Sequence, residues 1–413
     1  MPPTPTAHRP APEPHQRVLV TVTGHDREGI TATLTSIIAD AAVDIVDMEQ
    51  VVVQGILSLS IVLAFPAGQG RGQPVLKELL FAAKELGLAL DFEVLAGAQA
   101  EARRCRTRSV LTLIGNPDLR PQVIARIARV LADAGFNIET IQWLHQDRTH
   151  GLELVVSSPA RNVARELKPL LLPVAREFEV DLALQPDTLF RMMKRLVVFD
   201  LDSTLIQMEI IDELARCAGV HDEVCAITEL AMNGQLDFAA SLRRRVALLE
   251  GLEEARLAEI SADLPLTPGA EGLIGALKQL GYRTAVISGG FSYFADRVKA
   301  RLGLDYAYAN TLELRDGRLT GRVLPPVIDG EAKAELLVRI ASDEHIRLEQ
   351  VIAIGDGAND LPMLAKAGLG IAFNAKPRVR DAAEHSLNQH RLDTILFLLG
   401  ITQDDLAALA PTR

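Results

Sequence analysis

The stretch LVVFDLDST, residues 196–204, decides the fold class of the second half of this 413-residue chain. Its first four residues are all apolar, a pattern typical of a strand buried on both faces of a parallel sheet. Similar runs follow at YRTAVI (282–287), VIAIG (351–355) and LGIAF (369–373), each separated from the previous one by helical sequence. The alternation predicts a doubly wound α/β domain with its site at the carboxyl ends of the strands.

The sequence between the first two of these strands is too long for a single crossover. It is almost entirely helical and predicts an inserted helical cap over about residues 207–266. Further on, an Asp316-Gly317 turn between alternating residues predicts a β-hairpin around residues 306–323.

The first half of the chain contains an internal repeat. Residues 17–22 (RVLVTV) alternate like a strand, GHDREG follows as a turn, and the pattern continues as helix, two strands, helix and strand to about residue 95. After an arginine-rich connector, the same order restarts at SVLTLIG (109–115) and ends near residue 184. The sequence therefore predicts two adjacent α+β units of the ferredoxin-like order βαββαβ.

Length, composition and charge limit the function. At roughly 150 residues per domain, 413 residues predict two or three domains, and 48% hydrophobic with 23% charged residues is typical of a globular protein. The most apolar stretch, 51–65, is shorter than a membrane-spanning helix. The proline-rich residues 1–15 predict a disordered tail rather than a signal peptide. We expect a cytoplasmic protein, no membrane partner and, at a net charge of −11, no nucleic acid partner.

The cysteines and the basic cluster carry weaker signals. Cys105, Cys217 and Cys225 have no paired CxxC spacing and predict reduced thiols rather than disulfides or a zinc site. The arginines within residues 103–108 predict a solvated connector, with anion binding as the alternative.

Carboxylates stand at the ends of two predicted strands. Asp200 and Asp202 follow the first strand, and Asp356 and Asp360 lie in GDGAND after VIAIG. Because parallel strands end at the same edge of a sheet, four carboxylates converge there. Their mutual repulsion must be relieved either by a bound cation or by protonation, which requires raised pKa values. An all-oxygen ligand set favours a hard cation, and we expect Mg²⁺.

Two more polar residues are candidates for the same edge. Ser288 directly follows YRTAVI and precedes Gly289 and Gly290, so its hydroxyl and the next backbone N–H groups can face a phosphate. The segment SGG is also common as a plain turn. Lys333 stands at the start of a predicted helix, where a lysine is often simply solvated.

In this order, DLDST, Ser288, Lys333 and GDGAND resemble the four motifs of the haloacid dehalogenase-like phosphatases, over residues 190–400. The resemblance implies that Asp200 attacks phosphorus to form an aspartyl phosphate and that Asp202 is the general acid and base. It also implies Mg²⁺ held by Asp200, the backbone carbonyl of Asp202, and Asp356 with Asp360 near it. Ser288 and Lys333 would then form the phosphate cradle.

The cap indicates which phosphate ester is bound. Phe238 and Arg245 are seven residues apart on one face of a predicted helix over 237–249, and a guanidinium can pair with a substrate carboxylate. Glu209 could accept a substrate ammonium group. The plain alternatives are a helix-surface charge for Arg245, a first-turn helix residue for Glu209 and cap core for Phe238 and Met232.

Within the family, the spacing of the site residues is similar to that of members acting on phosphoserine. The resemblance implies O-phospho-L-serine as the substrate, and therefore the last step of serine biosynthesis. It implies that Glu209 binds the amino group of the substrate and Arg245 its carboxylate. Met232 and Phe238 would line the closed pocket. Gly289 and Asn359 would assist in holding the phosphate and the substrate or metal.

The two βαββαβ units, over about residues 16–185, resemble tandem ACT domains, which bind amino acids and regulate enzymes of amino-acid metabolism. GHDREGI looks like that family's ligand loop, with close backbone approach at Gly24 and Gly29 and with Asp26 able to meet an ammonium group. The second loop, GNPDLRP, keeps Gly115 and Asp118 but lacks the second glycine. Alternatively, these glycines only end a strand and start a helix. The resemblance implies an amino acid as a regulatory ligand and a homodimer, and end-product control by L-serine is our hypothesis.

The expected division is a tail (1–15), an ACT-like domain (16–97), a linker (98–108), a second ACT-like domain (109–186) and a phosphatase domain (190–400). Two other functions stay open. One is a phosphotransferase, or a phosphatase of another small ester. The other is a non-catalytic amino-acid-binding regulator, although a scaffold would need neither the aspartates nor Lys333.

Overall fold

The computed structural model describes residues 16–65, 74–95, 106–115, 118–145, 149–159, 163–232 and 235–409. The chain divides into two compact units, residues 1–106 and 107–413. Cys105, Arg103 and Arg104 lie outside the described residues.

The first unit has the predicted βαββαβ order. Its elements are β1 (Gln16–His25), α1 (Ile30–Asp40), β2 (Asp44–Val53), β3 (Ile56–Phe65), α2 (Pro74–Glu85) and β4 (Ala89–Leu95). The described strands form an antiparallel sheet in the order β2-β3-β1-β4. Every second residue of β1, from Val18 to Val22, is buried against α1 residues spaced four apart, such as Leu34 and Ile38. Buried residues thus recur every second position in the strand and every fourth position in the helix, so that each element has one apolar face and the two faces pack together.

The second unit begins with the repeat of this order. Its elements are β5 (Arg106–Ile114), α3 (Pro121–Asp133), β6 (Asn137–His145), β7 (Gly151–Pro159), α4 (Val163–Phe178) and β8 (Asp181–Pro186). Their sheet has the order β6-β7-β5-β8. Arg106 and Arg108 lie inside β5, and the Arg108 guanidinium pairs with Glu139 at 3.0 Å and Asp187 at 3.3 Å.

The remainder of the second unit is the doubly wound domain, which follows the short helix α5 (Leu189–Met192). Its described strands form one sheet in the order β12-β11-β10-β9-β13-β14-β15. They are β9 (Leu196–Phe199), β10 (Arg283–Phe291), β11 (Tyr306–Arg315), β12 (Arg318–Leu324), β13 (Val351–Gly355), β14 (Leu369–Phe373) and β15 (His385–Leu387). The central strand β9 is buried on both faces, because Val197 and Phe199 pack into one hydrophobic core and Leu196 and Val198 into the other. This explains why its sequence is a continuous apolar run.

The helices of this domain fall into two groups. The predicted cap consists of α6 (Ile210–Ala218), α7 (His221–Met232), α8 (Phe238–Ala247) and α9 (Glu254–Ala262). The sheet is flanked by α10 (Ala270–Gln279), α11 (Ser292–Leu302), α12 (Gly330–Asp343), α13 (Leu361–Lys366), α14 (Pro377–Ala382), α15 (Ile395–Leu398) and α16 (Gln403–Leu409). The chain runs from β9 to β10 on one side and later to β13 on the other, so the strand order reverses beside β9. Such a reversal opens a crevice at the carboxyl ends of the strands.

The second βαββαβ domain packs directly on the doubly wound domain. Ile114, Leu144 and Ala183 belong to the same buried cluster as Phe199. The side chain of Gln185 in β8 donates to the Leu398 carbonyl at 2.9 Å. These contacts make the two domains parts of one compact unit.

Two negative findings concern the described residues only. They form no helix with the length and apolarity that crossing a membrane requires. Cys217 and Cys225, the cysteines among them, are free thiols.

Candidate active site

Asp200 and Asp202 leave the central strand in different directions. The Asp200 N–H donates to the Ile354 carbonyl at 2.8 Å, so this residue still follows the sheet, and its carboxylate is buried. Asp202 turns towards the cap, where its Oδ1 accepts from the Ile210 N–H at the start of α6 at 3.0 Å. The Asp200 carboxylate therefore lies at the edge of the sheet, and the Asp202 carboxylate lies where the core meets the cap.

GDGAND places Asp356 and Asp360 beside Asp200. A Cβ atom at Gly355 would lie 2.5 Å from Asp360 Cγ, so only glycine lets the Asp360 side chain fold back against β13. The Gly357 N–H then donates to Asp360 Oδ2 at 2.9 Å. The Thr204 hydroxyl, at the end of DLDST, donates to Asp356 Oδ1 at 3.2 Å and links the two motifs.

Lys333 lies at the centre of these carboxylates. Its side chain is 0% exposed, and its Nζ donates to Asp200 Oδ1 at 2.7 Å and to Asp360 Oδ1 at 2.6 Å. The N-cap residue Asp329 stabilises the start of α12, where Lys333 lies, because its carboxylate accepts from the Ala332 N–H at 3.0 Å. The solvated alternative for Lys333 is excluded by its burial.

One lysine does not neutralise this site. Carboxylate oxygens of Asp200, Asp356 and Asp360 lie within 4.8 Å of one another, while the Asp202 carboxylate is not a member of this group. Burial, with the nearby Asp360 charge, raises the pKa of Asp200 to about 7. Burial and the charges of Asp200 and Asp360 raise the pKa of Asp356 to about 8. Burial lowers the pKa of Lys333, but the two carboxylates raise it by more, and the net shift is upward.

Asp202 has the properties of a proton donor. Burial, followed by the charges of Glu209 and Asp200, raises the pKa of its carboxyl group to about 8. A carboxyl group with such a pKa is protonated at neutral pH and can give its proton to a leaving group.

Ser288 and the two glycines after it form an irregular part of β10, so the plain alternative of a turn is replaced by a bulge within the strand. The Ser288 hydroxyl is buried, donates to Asp202 Oδ2 at 3.3 Å and accepts from the Gly290 N–H at 2.8 Å. A Cβ atom at Gly290 would lie 2.5 Å from Asp202 Oδ2. The glycine is therefore needed for the close approach between the bulge and Asp202.

Arg245 points into the site from α8, and part of its hydrogen-bonding capacity is unused there. Its Nε is buried and has no hydrogen-bond partner among the described residues. Burial lowers the pKa of the guanidinium, and the carboxylates of Asp212, Glu209 and Asp202 oppose that shift. Arg243 and Arg244 on the same helix are exposed, whereas Arg245 is partly buried. A partly buried guanidinium with a free Nε–H suits a ligand carboxylate.

Two of the remaining predicted substrate-binding residues, Phe238 and Asn359, lie close to Gly289. The Glu209 carboxylate accepts from the Ser203 hydroxyl at 2.7 Å. A Cβ atom at Gly289 would lie 2.9 Å from Phe238 Cζ and 3.5 Å from Asn359 Nδ2, so Phe238 and Asn359 both face this glycine. Met232 ends α7, but its side chain lies outside the described part of the structure.

Sequence reasoning missed one polar residue of the site, Asn310. It is fully buried in β11 and bonds to the Gly289 carbonyl at 2.9 Å. The sequence feature that could have indicated Asn310 is its position as a single amide side chain in the otherwise apolar start of a predicted strand.

The predicted ligand loops of the two βαββαβ domains differ in structure. In the first, Gly24 packs against Leu88, Gly29 is the N-cap of α1 with a φ of 89°, and Asp26 is exposed. In the second, Gly115 is buried and a Cβ atom there would lie 2.4 Å from the Asp118 carbonyl carbon. Asp118 is exposed, and its Oδ1 lies 3.8 Å from His150 Nε2. Close packing thus explains Gly24 and Gly115, and the positive φ explains Gly29, while the two acids stay accessible.

Three family models match the chain. A haloacid dehalogenase-like hydrolase model matches residues 197–365, and ACT domain models match residues 16–93 and 107–185. These matches confirm the predicted fold class and the order of the domains.

Curated relatives match nearly the whole chain. A phosphoserine phosphatase of Streptomyces coelicolor is 44% identical over 95% of this chain and 94% of its own length. A phosphoserine phosphatase of Mycobacterium tuberculosis is 41% identical over 95% of both chains. Among solved structures, a probable phosphoserine phosphatase of Vibrio cholerae superposes with a TM-score of 0.58 at 33% identity, over 73% of this chain and 90% of that one.

Proposed function

The chain belongs to the phosphoserine phosphatases of the haloacid dehalogenase-like hydrolases, and we propose that it hydrolyses O-phospho-L-serine to L-serine and phosphate. The observation that carries the proposal is the buried contact of Lys333 with Asp200, beside a proton-donating Asp202 and an inward-facing Arg245. Nucleophile, acid and carboxylate-binding group then stand at one crevice.

The residues at the sheet edge fit a divalent cation. Two of the three clustered carboxylates are bonded to Lys333, whereas Asp356 has no such bond, and its raised pKa shows that its ionised form needs a further positive charge. We propose Mg²⁺, held by Asp200, Asp356 and the backbone carbonyl of Asp202, with Asp360 fixed nearby by Lys333, because all these donors are oxygen atoms. When bound, the ion would supply positive charge that offsets repulsion between the nucleophile and a phosphate dianion.

The chemistry proposed for the protein groups proceeds in two displacements. Asp200 attacks phosphorus, the bond from phosphorus to the serine oxygen breaks, and Asp202 gives its proton to that oxygen. Asp202, now ionised, takes a proton from water, which attacks the aspartyl phosphate and regenerates Asp200 as phosphate leaves. Ser288 and Lys333 donate hydrogen bonds to the phosphoryl oxygens as negative charge builds up there.

The cap residues are proposed to select the substrate. Arg245 binds the serine carboxylate through its free N–H groups, and Glu209 binds the ammonium group. Phe238 and Met232 close the pocket over the ligand, and Gly289 and Asn359 contact its phosphate side. A phosphate ester without the amino and carboxylate groups would leave both charged residues unpaired.

The decisive experiment compares phosphate release from O-phospho-L-serine and from a panel of other phosphate esters, with and without Mg²⁺. We expect Mg²⁺-dependent release, preference for phosphoserine and loss of activity in Asp200→Asn. Preference for another ester would reject the roles of Glu209 and Arg245. Failure to release phosphate from any ester would favour a non-catalytic, amino-acid-binding regulator.

We propose that the ACT domains bind an amino acid, with L-serine as end-product effector. The candidate groups are Gly24, Asp26 and Gly29 in the first domain and Gly115 and Asp118 in the second. Calorimetry and activity assays over millimolar L-serine test this, with Asp26→Ala and Asp118→Ala compared with the exposed Asp40→Ala control. No heat of binding and constant activity would contradict regulation by serine.

We also propose that the first ACT domain pairs with a second copy of the chain. Its edge strand β2 is exposed along its whole length, and Val51 and Val53 are 48% and 62% exposed. An open edge strand with apolar side chains is a surface suited to pairing. Light scattering of the native protein should give a dimer, and Val51→Lys should shift it towards the monomer.

Two further proposals follow from the sequence. The expected linker, residues 98–108, predicts that limited proteolysis cuts first before Arg106, where β5 begins. A role in the last step of serine biosynthesis predicts a cytoplasmic enzyme, which fractionation of the source cells would test.

A further inference from the structure

The bulge in β10 leaves a backbone carbonyl without a sheet partner. Ile287 pairs with Tyr308 and Phe291 pairs with Asn310, so four steps along β10 match only two steps along β11. Residues 288–290 thus stand opposite Ala309 alone and bulge out of the ladder beside the proposed catalytic carboxylates. A carbonyl group that is partly buried and lacks a ladder partner needs another donor.

Asn310 supplies that donor. Its Nδ2 donates to the Gly289 carbonyl at 2.9 Å and to the Ile328 carbonyl at 3.2 Å. Its Oδ1 accepts from the Ile328 N–H at 2.7 Å. The side chain is 0% exposed, and both ends of its amide group are bonded, which fixes its orientation.

The same peptide unit reaches the phosphate-binding hydroxyl. The Gly289 carbonyl and the Gly290 N–H belong to one planar group, so fixing one end fixes the other. The Gly290 N–H donates to Ser288 Oγ at 2.8 Å, and that hydroxyl in turn donates to Asp202 Oδ2 at 3.3 Å. Asn310 is therefore connected to Ser288 through a single rigid peptide plane.

We propose that Asn310 is a positioning residue for phosphoryl transfer, which holds the Gly289–Gly290 peptide plane so that its N–H orients the Ser288 hydroxyl. The inference rests on the proposed function, in which Ser288 binds the phosphoryl group. Asn310 needs no contact with the substrate for this role. Its bonds to Ile328 anchor the amide to the segment that leads into α12 and Lys333.

The test is a double-mutant cycle of Asn310→Ala with Ser288→Ala, measured as kcat/KM for phosphoserine. Displacing a catalytic group by a fraction of an ångström can cost about 10- to 100-fold in rate. We expect such a loss in the native background, mostly in kcat, and a loss of less than about 3-fold once Ser288 is absent, because coupled residues are not additive. Equal losses in both backgrounds would overturn the inference.

Thr284→Val is the matched control. Thr284 is also fully buried, lies at the opposite end of β10 and donates to Asp305 at 3.0 Å. It should lower the melting temperature and leave kcat and KM of the folded protein near native. If Asn310→Ala lowers kcat no more than this control, its role is purely structural and the proposal fails.

A second readout does not depend on activity. Hydrogen exchange of the peptide that covers residues 286–292 should become faster in Asn310→Ala and in the isosteric Asn310→Asp, but not in Thr284→Val. Unchanged exchange in both Asn310 variants would contradict a fixed peptide plane. If the native chain released no phosphate from any ester, the proposed function would fail, while this exchange measurement would still decide the role of Asn310.

Discussion

Lys333 Nζ lies 2.7 Å from Asp200 Oδ1, although the two residues are 133 positions apart in the sequence. The contact joins the first strand of the phosphatase domain to the helix that follows its hairpin. It is fully enclosed, so the lysine charge acts on Asp200 with little screening by solvent. The same charge both stabilises the buried carboxylates and prepares the site for an anionic substrate.

Replacing Lys333 by methionine should abolish activity and destabilise the fold. Breaking a buried ion pair from one side costs about 3–5 kcal/mol, because the remaining carboxylates stay buried without a partner. Activity should fall at least about 1,000-fold, since a charge aligned with the transferred phosphoryl group is lost. Urea unfolding and phosphate release measure both effects, with the exposed Lys366→Met as control. A folded Lys333→Met enzyme with a tenth of native activity would contradict this role.

Stability should depend on pH and on the cation together. The folded-state pKa values of Asp200 and Asp356, about 7 and about 8, lie above those of the unfolded chain. Without a divalent ion, their contribution to stability is full in acid and is lost as pH rises towards about 8. Mg²⁺ binds the ionised carboxylates, so the rise in melting temperature that it causes, relative to chelator, should be larger at pH 8 than at pH 5.5.

Asp356→Asn provides the control for that experiment. It removes one proposed ligand and should reduce the Mg²⁺-dependent shift at pH 8. An equal shift at both pH values in the native protein would count against a cation held by these carboxylates.

Substitution of Arg245 should separate substrates by their carboxylate. Removing one partner of a buried, hydrogen-bonded charge pair costs about 2–5 kcal/mol, and we expect kcat/KM for phosphoserine to fall about 100-fold in Arg245→Leu. Phosphoethanolamine has no carboxylate, so its hydrolysis should change little. The exposed Arg244→Leu controls for loss of charge on α8. Equal losses for both substrates would assign Arg245 to the cap structure instead.

The sequence predicts those parts of the fold whose patterns are set locally. Strands β9, β13 and β14 are predicted well because both of their faces are buried, which makes the apolar runs continuous. β15 is missed because its three residues, His385–Leu387, are too few to show a period.

The missed site residue has a different cause. The importance of Asn310 depends on the register shift between β10 and β11, and no single stretch of sequence contains that shift. The aspartates of the candidate site, in contrast, follow strands that the sequence predicts. Contacts between two domains are equally absent from local patterns, so the packing of the second ACT domain on the phosphatase domain becomes visible only in the structure.

That packing gives the last prediction, which concerns Asp181 at the start of β8. Asp181 is 7% exposed, and its carboxylate accepts from the Asn388 N–H at 2.7 Å, the Asn388 side chain at 3.0 Å and the Gln389 side chain at 2.8 Å. Asp181→Ala would leave these donors without their acceptor, at a cost of about 2–4 kcal/mol for hydrogen bonds to a charged group.

The chain offers a control across the same interface. Arg176 and Asp381 form an ion pair at 3.0 Å, but their side chains are 72% and 66% exposed. Exposed pairs contribute about 0–1 kcal/mol, so Asp381→Ala should be close to native in urea unfolding. If the interface carries the response to an effector, Asp181→Ala should also weaken the effect of L-serine while basal phosphate release persists. Equal stability losses in the two variants would mean that the buried carboxylate does not hold the second ACT domain to the phosphatase domain.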